Sequence, residues 1–490
     1  MVLSLYINQH RSELIKKTLQ FLQFTACIET SNLYPHKFET TLTIPEFIKK
    51  YQNGGVLEKG DVLLEEEVSL AGRIIRRRDL GSKLIFFDLQ GQNQTIQIKA
   101  HFQFQNTHKD FDRGDVVGVS GNPHMSNKTR YRQRYLDLML NKSVYSKFVT
   151  RSKIINIIRN FLQENQFIEV ETPMMNLIPS GAYAKPFKTY HESLKSDLYM
   201  RISPELYLKQ LVIGGFDRVF EIGRQFRNES IDTTHNTEFT TCEFYMAYSD
   251  MYDLMEFTEK MVMEILKNFN NDCGGSNNSS NDHHVLDYKT SNNENLKIDF
   301  SLPFKRIDII PTLEDKLKVK FPSPSKLHTE ESRLFLEQIC NDHKITCNPP
   351  KTNSRLFNKI IDKIIETECI SPTFIVGFPK MMSPLAKSHR EIEGLCERFE
   401  LLIARREIVN AYTELNDPFE QRGRFEEQSQ QRDQGDDEAQ LIDESYCKSL
   451  EYGLPPTAGW GMGIDRLIMI LTNSSSIKEV ILFPAVKDLD

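Results

Sequence analysis

Between Arg218 and Tyr248 the chain reads RVFEIGRQFRNESIDTTHNTEFTTCEFYMAY, two runs with a period of two on either side of a polar, turn-rich stretch. That pattern specifies a strand, a loop and a second strand. Successive strand side chains point to opposite faces, so Arg227 and Glu229 are expected on one side. Phe239, Thr241, Glu243 and Tyr245 are likewise expected to share a face. If that face lines a pocket, an arginine can grip a phosphate, Phe239 can stack on a base and Glu243 can meet a cation. Taken alone, the same segment also suits a surface sheet laced with ion pairs.

The rest of the chain narrows the setting. At 490 residues it is too long for one core, and two to four domains are expected. The 39% hydrophobic and 26% charged residues are ordinary globular values, and no apolar run approaches the ~18 residues of a membrane span. A net charge of -7 argues against wholesale coating of nucleic acid but leaves room for a local basic patch. Eight cysteines are scattered without a CxxC pair, as in a reducing compartment, so neither zinc nor a disulfide framework is expected. The start of the chain is only weakly like an organelle-targeting segment, since Arg11 is followed by Glu13. A cytoplasmic location is the expectation.

Residues 1–61 read as an N-terminal helical segment, with the helix itself over 11–25. Strand signals then run from about Val62 to Val119. LIFFDLQGQNQTIQIKA gives two alternating runs joined around Gly91, and GDVVGVSG gives another short strand. Residues 62–126 thus read as an oligonucleotide-binding (OB) barrel. Arg73, Arg76, Arg77 and Arg78 beside Phe86 and Phe87 suit single-stranded RNA, although a solvated charged edge over core phenylalanines reads the same way. A larger domain, 127–490, opens with RYRQRYLDL and the amphipathic RSKIINIIRNFLQENQF, and Pro173 breaks the EVETPMM run. Residues 271–299, including CGGSNNSSNDHH, read as a surface insertion that does not pack, with His283 and His284 in flexible loop rather than in a metal site. EEQSQQRDQGDDEA, at 426–439, reads as an exposed helix.

A second constellation lies in RFELLIARREIVNAYTELNDP, where two strand-like runs flank Ala404 and Arg405 as in a hairpin. Glu400 and Glu407 would then be near cross-strand neighbours. Opposed positions stand ~5 Å apart, and two carboxylates that close repel unless a cation lies between them; ion pairs with Arg405 or Arg406 are the alternative. Beyond the turn, Asn410, Tyr412 and Glu414 share one face.

The first segment resembles motif 2 of the class II aminoacyl-tRNA synthetases, and more narrowly the lysyl branch. FIEVETPMM resembles motif 1, and GWGMGIDRLIMIL resembles motif 3. With NAYTELNDP, SPLAK and LPPTAGW, the similarity extends from YPHKF near residue 34 to the end of the chain. The resemblance implies an α+β fold: an antiparallel catalytic sheet flanked by helices, preceded by an OB-fold barrel, with ATP and the amino acid bound on the sheet. No GxxxxGK[ST] loop competes with that expectation. Carried over, the family roles put Arg227 on the α-phosphate and Arg466 on the γ-phosphate as the catalytic pair. Glu229, His235, Asn236, Phe239, Glu400, Leu401 and Gly463 complete the ATP site, and Glu400 and Glu407 hold Mg2+. Lysine falls to Gly181, Glu205, Glu243, Tyr245, Asn410, Tyr412 and Glu414. An ammonium needs acceptors, which Glu243, Glu414, Asn410 and Tyr412 supply. The implied partners are ATP, L-lysine, tRNA(Lys) and a second copy of the chain, with no membrane.

Only HMS separates GVSGNP from NKTRYRQRYLDL, where the family has a longer stretch completing the barrel. A shortened barrel with exposed edges, and weaker anticodon binding, is therefore expected. HNTEF carries Thr237 in place of proline, and AKSHR carries Ser388 in place of an aromatic residue. Rival readings are an aspartyl- or asparaginyl-tRNA synthetase, an enzyme that lysylates something other than tRNA, and an inactive or tRNA-uncoupled paralogue acting as a scaffold. Glu243 and Glu414 would repel an aspartate side chain, and the intact Arg227, Glu229, Glu400, Glu407 and Arg466 weigh against loss of activity.

Overall fold

A computed structural model describes residues 23–26, 39–53, 67–79, 84–101, 113–124, 131, 134–273, 284–290, 294–433, 436 and 439–485. The chain divides into two compact units, one ending at Ser146 and a larger one running from Lys147 to Ala485. The division falls inside the helix Lys142–Glu164, later than the expected boundary at 126.

In the first unit, β1 (Gln23–Ala26), β2 (Val68–Asp79), β3 (Leu84–Gly91), β4 (Gln94–His101) and β5 (Val116–His124) form a closed barrel in the order β1-β4-β3-β2-β5. Alternate residues fill it: Val68, Leu70, Ile74, Ile85, Phe87, Leu89, Ile96, Ile98, Val117 and Val119 form one buried cluster. The β3–β4 turn sets Gln92 and Asn93 at φ 49° and 62°, the left-handed conformation of a two-residue hairpin turn. Two expectations fail here. Residues 23–26 are strand rather than helix, while 11–22 lie outside the described residues. The barrel does not end in open edges either, because β1 pairs parallel to β4 and antiparallel to β5. The edges left by the short connection after β5 are thus hydrogen-bonded by a segment from far upstream.

In the second unit the strands are β6 (Ile168–Glu169), β7 (Met175–Asn176), β8 (Lys188–His191), β9 (Ser196–Met200), β10 (Arg218–Phe226), β11 (Glu238–Ala247), β12 (Val285–Lys289), β13 (Asn295–Asp299), β14 (Lys305–Asp308), β15 (Thr373–Val376), β16 (Arg398–Ile403), β17 (Arg406–Thr413) and β18 (Thr457–Gly463). Eight of them make one sheet in the order β14-β15-β16-β17-β18-β11-β10-β6. The six central strands are antiparallel, and only β14 and β6 at the edges pair in parallel. One face is apolar: Phe220, Cys242, Phe244, Met246, Ala458, Trp460, Met462, Val409, Ala411, Phe399 and Leu401 are buried in a single cluster. The amphipathic helices Met251–Cys273 and Ile464–Leu471 contribute to that cluster through Leu254, Met255, Ile265, Leu467 and Ile468. Trp460 stacks on Phe244 at 4.7 Å, and its indole N–H donates to Thr258 Oγ1 at 2.9 Å, so its one polar atom is satisfied in the core. With helices on this face, the opposite face is left for ligands.

The Asn-rich insertion differs from its expected form. Residues 274–283 lie outside the described residues, but β12 and β13 form a hairpin whose Tyr288, Leu296 and Ile298 join the main core. VLDYK and NLKID carry apolar side chains at alternate positions, and that face packs. The helix Pro418–Asp433 is likewise not wholly exposed, since Gln421, Arg424, Phe425 and Gln428 are buried.

Candidate active site

The open face of the sheet is hollowed by its own middle strand. On β18, Ala458, Trp460 and Met462 face the core, while Gly459, Gly461 and Gly463 face outward and add no side chain. Register then builds two rows across the gap. Glu243 pairs with Gly461, Gly461 with Asn410, and Asn410 with Glu400; Tyr245 pairs with Gly459, Gly459 with Tyr412, and Tyr412 with Arg398. The glycines form the floor and the polar side chains the walls of a cavity of about 930 Å³. A Cβ on Gly459 would stand 1.8 Å from Glu414 Oε1, so only glycine fits there.

All the sequence-derived site residues except Leu401 and Glu414 line this cavity; Glu414 is buried, with its Oε1 against Gly459 of the lining. Leu401 is fully buried on the core face, because it alternates with Glu400 on β16, and only its backbone can bear on a ligand. Arg227 and Glu229 are not on a strand. β10 ends at Phe226, and both belong to the following loop, anchored by Arg227 N–H donating to Thr237 O at 2.9 Å.

One end of the cavity is cationic and aromatic. The Arg227 guanidinium lies 5.2 Å from the Phe239 ring centroid, and its Nε is buried without a hydrogen-bond partner. Arg466 Nη1 donates to Glu407 O at 2.8 Å, and its Nη2 lies 3.0 Å from His235 Nε2. His235 Nδ1 is in turn 2.9 Å from Asp232 Oδ2. Burial works to raise the Asp232 carboxyl, but hydrogen bonds from Thr234 and His235 overcome it and hold the group at about 2. Asn236 donates to Glu238 O at 2.7 Å, and its own Oδ1 is buried without a partner. Asp465, beside Arg466, accepts from Thr240 N–H at 2.7 Å and from Arg151, which ties the helix Ile464–Leu471 to β11.

Glu400 and Glu407 lie beside this end, but not directly opposed. Glu400 pairs with Asn410, and Glu407 pairs with Leu402 across an irregularity between Leu401 and Leu402, so the two acids are diagonal neighbours. The expected hairpin is present, with Ala404 and Arg405 at φ 52° and 62°. Burial and then Glu407 push the Glu400 carboxyl up to about 7, although Arg398 Nη2 donates to its Oε1 at 2.6 Å. Burial, followed by Asp362, Glu400 and Glu407, pushes Glu366 up to about 8. A surplus of negative charge this strong suits a cation. Among the described residues no three His, Cys, Asp or Glu side chains gather closely enough to hold a metal by themselves. A cation at Glu400 and Glu407 would therefore take further oxygen ligands from phosphate and water, as magnesium does.

The other end is acidic and deeply buried. Glu243 accepts from Ser203 Oγ at 3.0 Å and Thr241 Oγ1 at 3.3 Å. Burial and then Glu205 push it up to about 7. Tyr412 OH donates to Glu205 Oε1 at 2.6 Å. Burial and the field of Glu205 and Glu414 push the Tyr412 and Tyr245 phenols well above their ordinary range, so both keep their protons. Asn410 Oδ1 accepts from Arg398 Nε at 3.1 Å. Gly181 has φ 90°, a conformation that disfavours any other residue, and its N–H donates to Gln440 Oε1 at 3.3 Å. Next to it, Tyr183 OH donates to buried Asp436, which also takes Arg355 Nη2 at 2.8 Å.

Ser203, Lys209, Arg398, Asp232, Asp436 and Gln440 were not found by reading the sequence. Arg398 alternates with Glu400, a signal that was available in RFELL. Asp232 lies three residues before His235, and Ser203 and Lys209 flank Glu205, so their neighbours were in view though their contacts were not; Asp436 and Gln440 come from a separate segment that only tertiary structure brings near.

Residues 126–487 match the family described as tRNA synthetases class II (D, K and N), and residues 68–138 match the OB-fold nucleic acid binding domain. Fold, cavity and family together define a class II aminoacyl-tRNA synthetase. The chain is 46% identical to a lysine–tRNA ligase of Cladosporium cladosporioides over 94% of its own length and 82% of that protein's. It is 43% identical to a probable cytoplasmic lysine–tRNA ligase of Encephalitozoon cuniculi over 94% of each. It is also 42% identical to a lysine–tRNA ligase of Aquifex aeolicus over 86% of the chain and 73% of that protein. The chain belongs to the lysine–tRNA ligase family.

Proposed function

We propose that this chain activates L-lysine with ATP to give lysyl-adenylate and pyrophosphate, then transfers the lysyl group to the 3′ end of tRNA(Lys). The observation that carries the substrate is the pair of acids Glu243 and Glu414. Both are buried: Glu243 lines the cavity, and Glu414 lies against its Gly459, with an Oε1 that has no hydrogen-bond partner. A buried acceptor left unpaired is costly unless a donor arrives, and a side-chain ammonium supplies one. Aspartate or asparagine would bring no such charge. Gly181 and Glu205 take the α-amino side, with Tyr245, Asn410 and Tyr412 along the chain of the amino acid.

In the nucleotide half, Phe239 stacks on adenine, Glu229 meets its amino group, and His235, Asn236 and Gly463 lie along the nucleotide. Arg227 and Arg466 are the fixed charges on the α- and γ-phosphates. Magnesium held by Glu400 and Glu407 would offset phosphate charge. The lysine carboxylate oxygen bonds to the α-phosphorus as the bond to pyrophosphate breaks, so no protein nucleophile is required. The protein acts by alignment and by charge placed in advance of the transition state.

The barrel is the tRNA-binding part in this reading. Phe87 lies in its core, whereas Phe86, on the other face of β3, pairs across from Arg78 on β2. Arg76 is exposed, Arg73 donates to Gly114 O at 2.6 Å, and Arg78 stands 3.8 Å from Asp88. The chain acts as a homodimer, which would cover the exposed Ile168, Met174, Met175 and Leu177 of the motif 1 segment. No helix among the described residues is long and apolar enough to cross a membrane, and two related proteins carry the description cytoplasmic, which is the location we propose. Charging of total tRNA with radiolabelled lysine tests the reading. Acid-precipitable, alkali-labile lysyl-tRNA dependent on ATP is expected, and its absence from a folded preparation would refute the transfer step.

A further inference from the structure

One charged group buried behind the pocket residues has no part in the reaction described above. Lys209, on the helix Glu205–Ile213, is fully buried. Its Nζ donates to Glu205 Oε1 at 2.8 Å and to Glu414 Oε2 at 2.7 Å, and it sits 5.3 Å from the Tyr446 ring centroid. The protein thus carries a resident ammonium on the two carboxylates expected to receive the substrate's ammonium groups. Burial works against that charge, but Glu205 and then Glu414 overcome it and hold the Lys209 amine well above its ordinary range. Burial drives the Glu414 carboxyl well above its ordinary range, with Lys209 the largest influence against the rise; the 2.7 Å contact to a Lys209 that keeps its own charge is the geometry that favours a carboxylate there.

We propose that Lys209 is a positioning residue for lysine recognition: it occupies one oxygen of Glu414 and leaves Oε1, beside Gly459, as the single acceptor offered to the substrate. The geometry supports each part. Glu414 Oε2 is taken and Oε1 is buried without a partner. Oε1 faces the space that Gly459 leaves open, since a Cβ there would meet it at 1.8 Å. A lone carboxylate in this setting would take up a proton, or turn both oxygens to one donor. With one oxygen permanently paired, Glu414 offers one charged hydrogen bond in one direction, which suits a primary ammonium.

The proposal rests on this pocket being the lysine site, and the tests separate the two. In lysine-dependent ATP–pyrophosphate exchange between pH 6.5 and 9, folded Lys209→Met is expected to show a lysine KM raised at least about tenfold at pH 7. Its ATP KM should stay within about twofold, and its lysine KM should fall back toward wild type as alkaline pH restores the Glu414 charge. An unchanged lysine KM would overturn the proposal, as would parallel losses in kcat and both KM values without recovery at high pH. Because Lys209→Met can fail to fold, wild-type protein supplies a second test. Lysine binding measured calorimetrically at pH 7.5 in buffers of different ionisation enthalpy should release well under one proton per site, since Glu414 is already charged. Release of one proton or more would overturn the proposal. A wild-type protein without lysine-dependent exchange would sink both the proposal and the assignment of the pocket.

Discussion

Arg227 sits over the Phe239 ring with a buried, unpaired Nε, a guanidinium held in place before any phosphate arrives. Loss of a prearranged charge of this kind costs roughly 10²- to 10³-fold in rate. Arg227→Ala should lower exchange by that order and leave the melting temperature nearly unchanged, because the residue lies in a loop; undiminished exchange would remove it from the catalytic pair. Glu243 gives a pH signature. Burial and Glu205 raise it to about 7, so the empty pocket holds a proton that an unfolded chain would have lost near pH 4.5. The stability this contributes is present below pH 4.5 and is lost as pH rises through 7. Lysine needs the charged form, so its KM should fall as pH rises from 6 to 8 and become nearly flat in Glu243→Gln at a much higher value. An equal pH slope in that variant would assign the titration to another group. At this scale the sequence was most readable where function follows strand alternation: Glu243 with Tyr245, and Asn410 with Tyr412 and Glu414, fall out of period two. Ser203 and Lys209 did not, because their importance depends on which strand a helix lies against.

β18 shows how an element makes a site by withholding side chains. Its sequence, TAGWGMG, carries the start of the motif 3 resemblance, but its place in the middle of the sheet came only from register. Two glycine substitutions should separate shape from stability. At Gly461 a Cβ would meet Glu243 Cγ at 3.4 Å, an ordinary contact, so Gly461→Ala should fold while losing most exchange activity by filling the groove. At Gly459 the Cβ would collide with Glu414 Oε1 at 1.8 Å and Tyr245 Cε1 at 2.5 Å, so Gly459→Ala should lose both activity and stability. Equal melting temperatures for the two variants would contradict this division. On the other face, Trp460→Ala should cost about 3–5 kcal/mol in chemical denaturation. A loss below about 1 kcal/mol would mean that the Phe244–Trp460 stack does not anchor the sheet.

For the whole molecule, the class of fold was legible because three motifs occur in order, whereas the closure of the barrel was not. A short connection after β5 pointed to open edges, and nothing local in QFTA marks it as the strand that pairs with both β4 and β5. β pairing over so many residues leaves no periodic signal in the intervening sequence. The insertion was misread for a related reason: composition from 271 to 299 is dominated by polar residues, and it masks the alternation in β12 and β13 that packs Tyr288 and Ile298. Deleting residues 1–26 should open the barrel, raising the tRNA KM while lysine-dependent exchange is retained; unchanged charging would show that β1 is dispensable for tRNA binding. Light scattering should give twice the chain mass, and an active monomer would remove the dimer from the proposal. The most direct test of the lysine assignment is ATP–pyrophosphate exchange by the full chain with lysine, aspartate and asparagine supplied separately. Exchange with lysine alone is the expected result, and exchange with either of the others, or with none of the three, would contradict it.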